Sequence, residues 1–280
     1  MMDYLTLLKS SSEKHHSIIC LGLDPIIEDI PLSGDTESVI FTFYHEILNR
    51  MVQKGVCPSA VKPNYAFYAQ YGIIGIKALI RVVELFSGAG FPVILDVKRG
   101  DIDRTAAAYA RESFDFFKAD AVTLSPYMGS DSIHPFFDLY PDKGCYVLTR
   151  TSNKSAIDIQ ELLVDIEPLY MHVAKKIIDW HRPGLGSVVG ATYPDQLSRI
   201  ASIYMQSGKE IPLLIPGIGA QGGDIVEVVG ILKKFSDVRI HRINSSSAIN
   251  YAYKKRPDLH YADAAVNALE NLNNEISKLL

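Results

Sequence analysis

Short apolar runs alternate with amphipathic stretches along almost the whole chain. Eight of these runs are typical of buried strands, and each ends at polar or turn-forming residues. Helical spacing of apolar residues separates or follows most of the runs. The predicted strands are 17–23, 60–62, 93–97, 121–124, 145–149, 187–190, 213–215 and 238–244.

The helical period is clearest in seven places. It predicts helices in 41–51, 68–86, 105–117 and 157–180, and after Pro194, Gly223 and Asp258. Strands and helices alternate in this way without a linker or a low-complexity segment. The pattern therefore favours a closed parallel (β/α)₈ barrel, a TIM barrel, in which residues 1–280 form one catalytic domain. An open doubly wound sheet is the alternative, although eight consecutive units fit the barrel better.

The stretch from Val93 to Thr105 combines a buried strand with opposed charges. Because strand side chains alternate between faces, Asp96 and Lys98 are expected on the same side, with Asp101 in the turn beyond. An ion pair that closes a strand end is the structural interpretation, and a site that uses the charges for chemistry is the functional one. A barrel gathers such groups at the carboxyl ends of its strands, where the sequence places Asp24, Lys62, Asp96, Lys98, Arg150 and Gln221.

The composition of the chain limits which binding partners and which cellular location we expect. The 280 residues carry a net charge of -4 and are 48% hydrophobic, which gives no electrostatic case for nucleic acid or an anionic membrane as a partner. Cys20, Cys57 and Cys145 lie far apart in apolar surroundings, so we expect reduced, structural thiols. No signal-length or membrane-length apolar run occurs, and we expect a cytoplasmic protein.

A glycine-rich stretch, Gly217–Gly223, follows the seventh predicted strand and matches G-x-G-x-x-G. Together with Asp237 at a suitable distance, it would fit a dinucleotide site. In a barrel, however, the loops after strands seven and eight form a phosphate site, helped by the next helix N-terminus. We therefore expect a phosphate monoester here, with a dinucleotide or a purely structural turn as the alternatives.

Other common catalytic patterns are missing from the sequence. The histidines and cysteines show no metal-ligand spacing, so no metal site is predicted. Ser152 follows a strand but has no adjacent histidine, and no G-x-S-x-G motif occurs. Serine-hydrolase chemistry is therefore not supported.

Taken together, these motifs resemble those of the orotidine 5′-phosphate decarboxylase family, over nearly the whole chain. The resemblance rests on Asp24, Lys62, D-x-K-x-x-D-I at 96–102 and the glycine-rich stretch at 217–223. Three longer runs, at 61–64, 95–102 and 189–194, are similar to the longer bacterial branch of that family. The resemblance implies a TIM barrel and a cofactor-free homodimer that converts orotidine 5′-phosphate to uridine 5′-phosphate and carbon dioxide in pyrimidine synthesis.

The family pattern also implies roles for the charged residues. Asp24 and Lys62 would meet the ribose and complete a charged array. Asp96 would sit beside the substrate carboxylate, and Lys98 would protonate the carbon that loses it. Because the resulting charge is not delocalised into the ring, fixed cations and immediate protonation are the available help.

The remaining roles concern the partner subunit and the two ends of the substrate. By resemblance, Asp101 and Thr105 would cross the dimer interface into the partner's site. Ser152 would read the pyrimidine, and Gln221 with Gly222 would close over the phosphate.

The sequence departs from the family pattern at Ser247, where an arginine usually grips the phosphate. Ser247 is one hydroxyl donor and cannot supply a bidentate cationic fork. The candidates for the contact with the phosphate are Arg150, Arg242 and backbone amides. Two other functions stay open: a magnesium-dependent sugar-phosphate decarboxylase or aldolase with the same D-x-K-x-x-D pattern, and a non-catalytic barrel that binds a phosphate ligand.

Overall fold

The computed structural model describes residues 2–218 and 222–280 of the chain. Its main sheet contains eight strands, close to the eight predicted runs. They are β1 (Ile19–Leu23), β2 (Ala60–Pro63), β3 (Ile94–Arg99), β4 (Ala121–Leu124), β5 (Gly144–Arg150), β6 (Leu185–Val189), β7 (Leu213–Pro216) and β8 (Arg242–Ser245).

All the pairings in this sheet are parallel, and neighbours in the chain are neighbours in space. β8 pairs with β1, and the parallel bridges Val61–Val93 and Asn64–Asp96 join β2 to β3. These contacts close the ring. The predicted (β/α)₈ barrel is therefore confirmed, and the open doubly wound sheet was the wrong alternative.

Helices surround the barrel, and the longer ones bury an apolar face against it. They are α1 (Tyr4–His15), α2 (Thr36–Lys54), α3 (Ala66–Ala69), α4 (Gly72–Gly88), α5 (Asp103–Arg111), α6 (His134–Leu139), α7 (Leu169–Asp179), α8 (Pro194–Gln206), α9 (Ile225–Phe235), α10 (Ser247–Asn250) and α11 (Tyr261–Leu279).

Helix α1 was not predicted from the sequence. Asp3 caps its N-terminus by accepting a hydrogen bond from the Thr6 amide at 3.0 Å. Tyr4 and Leu8 are buried in the same cluster as interior barrel residues, and Tyr4 donates to the Tyr146 hydroxyl at 3.1 Å. Because this helix covers the amino-terminal end of the barrel, the opposite end remains as the open mouth.

The predicted helix over 157–180 was wrong in its first half. A 3₁₀ turn (Lys154–Asp158) and a two-stranded antiparallel hairpin (Leu163–Val164 with Glu167–Pro168) precede α7. Pro168 lies just before α7 and has no backbone N–H. The missing N–H does not weaken the helix, because an N–H at this position would have no hydrogen-bond partner within it. The apolar residues of the hairpin imitate a helical period although they lie on the surface.

The eighth predicted strand was also too long. Residues Val238–Ile240 form a 3₁₀ turn, and β8 begins only at Arg242. Asp237 caps this turn by accepting from the Arg239 amide at 3.0 Å. A local side-chain contact therefore competes with the strand pattern.

Cys20, Cys57 and Cys145 are buried and form no disulfide, as expected from their spacing. Within residues 2–218 and 222–280, no helix combines the length and the apolar character that crossing a membrane requires.

Candidate active site

A cavity of about 720 Å³ opens at the carboxyl ends of the barrel strands. Its size suits a small organic ligand. Six of the predicted site residues line it: Asp24, Lys62, Asp96, Lys98, Ser152 and Ser247. The strand ends that the sequence marked by charge therefore meet in one cavity.

Asp96 is the centre of the charged array in this cavity. One of its carboxylate oxygens, Oδ1, accepts from Lys98 Nζ at 2.6 Å, and Oδ2 accepts from Lys62 Nζ at 3.1 Å. Only 8% of Asp96 and 5% of Lys62 is exposed. Leaving one of such buried charges without its partner typically costs about 3–5 kcal/mol. The array therefore constrains both lysines.

The same contacts keep the buried groups ionised. Burial alone would lower the pKa of Lys62, but the carboxylates of Asp96 and Asp24 outweigh it and raise that pKa above its usual value. Burial alone would raise the pKa of Asp96, yet Lys62 and Lys98 hold it well below its usual range. Neither group changes charge near neutral pH.

Lys98 reaches Asp96 by an irregular backbone rather than by simple strand alternation. The pairing of β3 with β4 shifts its register between Leu95 and Arg99. Lys98 itself has φ of +48°, in the left-handed region that non-glycine residues rarely adopt. Its side chain is 48% exposed, so the ammonium lies between the buried carboxylate and the open cavity.

Asp24 lies on the rim of the cavity, just after β1. Its Oδ1 accepts from the Asn64 amide at 3.2 Å, which ties it to the end of β2. Its backbone carbonyl accepts from the Tyr251 hydroxyl at 3.1 Å. These contacts fix Asp24 beside Lys62 and leave its second carboxylate oxygen, Oδ2, for other contacts.

Gly22 allows β1 and the segment after β8 to approach closely. A Cβ at this position would overlap the Ser246 hydroxyl and lie 2.7 Å from Ser246 Cβ. We expect Gly22→Ala to destabilise the protein by about 1–3 kcal/mol, the usual effect of overpacking, measured as a lower midpoint in urea unfolding. Gly230→Ala is the matched control, because a Cβ there meets none of the described residues within 4 Å. Equal midpoints for the two variants would contradict this expectation.

Ser152 lies in the loop after β5, and its neighbours hold that loop in place. The Thr151 amide donates to Gln160 Oε1 at 2.8 Å, and Gln160 Nε2 donates back to Thr151 Oγ1 at 2.8 Å. Gly190 approaches so closely that a Cβ there would lie 2.7 Å from Ser152 Cα. Ser152 is therefore presented to the cavity by a tightly packed loop.

The glycine-rich stretch begins at the cavity. Gly217 lines it, with φ of +107°, whereas Gly222 is exposed with φ of +82° and does not line it. Gln221 lies outside the described residues. The next helix, α9, is capped by its own Asp224, which accepts from the Val226 amide at 2.7 Å. This amide is therefore already used and is not free for the anion expected from the sequence.

Asp237, the candidate ribose ligand of a dinucleotide, lies before the amino end of β8. Its carboxylate accepts hydrogen bonds from Arg239. Because the cavity lies at the carboxyl ends of the strands, Asp237 is at the wrong end of the barrel. The predicted contact between Asp237 and the ribose of a dinucleotide was therefore wrong.

Comparisons with known proteins agree with this architecture. The family model described as "Orotidine 5'-phosphate decarboxylase / HUMPS family" matches residues 17–256. The chain belongs to the orotidine 5′-phosphate decarboxylase family. This membership confirms the resemblance and makes the chain an enzyme of the carboxy-lyase class, so the non-catalytic alternative was wrong.

Relatives match over almost their whole length. The orotidine 5′-phosphate decarboxylase of Cupriavidus taiwanensis is 41% identical over 281 residues, which cover 99% of this chain and 98% of the relative. That of Roseiflexus castenholzii is 40% identical over 284 residues, covering 100% of this chain and 99% of the relative. Both are bacterial proteins.

Solved structures in the family have the same fold. Leishmania donovani OMP decarboxylase is 33% identical with a TM-score of 0.78, covering 99% of each chain. Leishmania donovani UMP synthase is 34% identical with a TM-score of 0.82, and the match covers 100% of this chain but 57% of that one. The barrel described here is therefore the fold of the decarboxylase family.

Neither arginine suggested as a replacement at Ser247 lines the cavity. Arg242 is buried at the amino end of β8 and donates to the Leu8 carbonyl at 2.6 Å. Arg150 pairs with Glu161 at 2.8 Å, and its guanidinium lies over the Tyr193 ring. Both guanidinium groups are thus held elsewhere in this member of the decarboxylase family.

Asp101 and Thr105 lie outside the cavity of their own chain. Asp101 is half-buried, and its Oδ1 accepts from the Ile102 amide at 2.8 Å. Thr105 is exposed on the first turns of α5. Neither side chain therefore contributes to the cavity of its own chain.

Several residues of the decarboxylase cavity were not identified from the sequence. Asn64 donates to Asp96 Oδ2 at 3.4 Å, and Thr123 donates to Asp96 Oδ1 at 2.9 Å. Asn244 is 7% exposed, and its Oδ1 has no hydrogen-bond partner among the described residues. Thr123 and Asn244 are polar residues within apolar strands, and this was the available signal.

Proposed function

We propose that this chain decarboxylates orotidine 5′-phosphate to uridine 5′-phosphate and carbon dioxide, a step of pyrimidine synthesis. The observation that carries the proposal is the buried Asp96 carboxylate, held between Lys62 and Lys98 at the floor of the cavity. A carboxylate next to an ammonium is the arrangement that this reaction needs. The names of the relatives point to the same substrate.

The charges account for the two halves of the reaction. The substrate carboxylate binds beside Asp96, where like charges repel and disfavour the bound ground state. The carbon–carboxylate bond then breaks, its electron pair stays on the ring carbon, and carbon dioxide leaves. Lys98 donates a proton from its ammonium to that carbon, and the resulting amine recovers a proton from water.

The rest of the substrate is distributed along the cavity. Asp24 and Lys62 contact the ribose, and Ser152 reads the pyrimidine. Gln221 and Ser247 contact the phosphate, whereas Gly222, which is exposed outside the cavity lining, has only a neighbouring place in the chain. Ser152 and Ser247 line one cavity with the charged array, which supports this distribution.

The active form is a homodimer in which Asp101 and Thr105 enter the partner's site. Three exposed apolar side chains in the segments that follow β3 and β4 support a second copy as the partner: Ile102 (37% exposed), Tyr127 (91%) and Met128 (48%). Asp101 then adds a further carboxylate to the partner's array.

An absorbance assay of purified orotidine 5′-phosphate tests the proposal. We expect turnover that survives dialysis against EDTA, because ammonium groups supply the positive charge without a metal or cofactor. A protein that consumes no substrate contradicts the proposed function. Turnover that is lost in EDTA and restored by magnesium instead supports the magnesium-dependent alternative.

Ser247→Arg tests the phosphate end of the site. Ser247 is exposed on the cavity wall, and a guanidinium there would donate a charged, bidentate contact to the phosphate. We expect KM to fall about ten-fold or more, in line with hydrogen bonds to charged groups. Ser247→Gln is the control, because it adds length without charge. An unchanged KM in the arginine variant would mean that other groups already bind the phosphate fully.

A further inference from the structure

One threonine hydroxyl forms hydrogen bonds with a carboxylate of the charged array and with two backbone amides beside it. Thr123 lies in the middle of β4 and is 1% exposed. Its Oγ1 accepts from the Val97 amide at 3.0 Å and from the Lys98 amide at 2.9 Å, and donates to Asp96 Oδ1 at 2.9 Å. A hydroxyl has one donor and two acceptor sites, so all three are used here.

These contacts lie where the pairing of β3 with β4 becomes irregular. Parallel pairing with β4 is lost between Leu95 and Arg99, so the Val97 and Lys98 amides find their acceptor in a side chain instead. Without Oγ1, both N–H groups would lose this acceptor next to a left-handed residue. The hydroxyl therefore stabilises the backbone that carries the Lys98 ammonium.

The donor side of the same hydroxyl orients the carboxylate. Asp96 Oδ1 receives both Thr123 Oγ1 and Lys98 Nζ, while Oδ2 receives Lys62. Rotation of the carboxylate would break the contact with Thr123 and move both lysine partners. Thr123 therefore couples the position of Lys98 to the orientation of Asp96.

We propose that Thr123 is a positioning residue that holds the Lys98 ammonium and the Asp96 carboxylate in the relative positions that proton delivery requires. The proposal rests on the proposed decarboxylase function. It predicts an effect on the chemical step more than on substrate binding, because misplacement of a reacting group by about 1 Å can cost about 100-fold in rate.

The test compares three variants with the wild-type enzyme. Thr123→Val keeps the shape but removes the hydroxyl, and Thr123→Ser restores it. Thr149→Val is the matched control, because Thr149 is also buried, on the neighbouring β5, and its Oγ1 donates to the Val147 carbonyl at 3.0 Å and lies within hydrogen-bond distance of Ser187 Oγ, at 3.1 Å. Thr149 does not line the cavity. Each protein is assayed for kcat, KM and thermal midpoint.

We expect kcat of Thr123→Val to fall about 10- to 100-fold while KM changes less than about three-fold. Thr123→Ser should recover most of kcat, and Thr149→Val should keep the wild-type kcat although it also loses a buried hydroxyl. Should the valine variant not fold, Thr123→Cys is measured in its place, since a thiol is a weaker donor and acceptor of similar size.

The outcomes separate the two proposals. A wild-type enzyme without turnover overturns the decarboxylase function itself. An active wild type with an undiminished kcat in Thr123→Val, an equal loss in Thr149→Val, or no recovery in Thr123→Ser overturns the positioning role.

Discussion

Replacement of Lys98 by alanine should reduce kcat for orotidine 5′-phosphate by about 10³-fold, within the range that general acids contribute. The ammonium of Lys98 stands 2.6 Å from Asp96 and is half exposed to the cavity. In the proposed reaction it is the source of the proton, and Lys62 is held in the buried pair on the other carboxylate oxygen. Steady-state kinetics by absorbance measures the loss.

Lys143→Ala is the matched control for this experiment. Lys143 pairs with Asp120 at 3.1 Å, but both residues lie before the amino ends of their strands, at the other end of the barrel. Losing a partly exposed ion pair there should cost less than about 1 kcal/mol and leave kcat unchanged. A Lys98→Ala enzyme that retains more than about a tenth of the wild-type kcat would rule out Lys98 as the proton donor.

Asp101→Ala should be nearly inactive alone and should regain activity when mixed with Lys98→Ala. If Asp101 serves the partner's site, one site of a mixed dimer carries both substitutions and the other carries none. After complete subunit exchange, about a quarter of all sites are therefore intact. The measurement is activity of the mixture after dissociation and reassembly, compared with each variant alone.

A second mixture provides the control for subunit exchange. Lys98→Ala and Asp96→Ala remove groups that lie in the same cavity of one chain, so no mixed dimer of these two variants has an intact site. We expect no recovery in this mixture. Recovery in both mixtures, or in neither although tagged subunits are seen to exchange, would refute the contribution of Asp101 across the interface.

Much of the fold could be predicted because its signals are local. Buried parallel strands appear as short apolar runs, and seven of the eight were found with small errors at their ends. The eighth was displaced because Asp237 caps a 3₁₀ turn within the predicted range. Helix α1 was missed because its buried face packs against the end of the barrel, where Tyr4 meets Tyr146, 142 residues further along the chain.

The candidate site was predicted in part for the same reason. Asp24, Lys62 and Asp96 follow or end apolar runs, and the closed ring of strands brings those ends together. Arg150 also ends an apolar run in the sequence. In the structure, however, its guanidinium pairs with Glu161 and lies over the Tyr193 ring. The sequence can predict that a charged residue lies at the end of a strand. The group that pairs with its side chain depends on the neighbouring loops, which the sequence pattern does not specify.

The sequence by itself determined the alternation of strands and helices and the set of charged strand ends, because these depend on residues close in the chain. Only the tertiary structure decided how the charges are held. The left-handed backbone at Lys98 and its support by Thr123 depend on contacts about 25 residues apart between two strands. Hydrogen bonds of this kind form only when both strands are packed in register, and no local pattern encodes them.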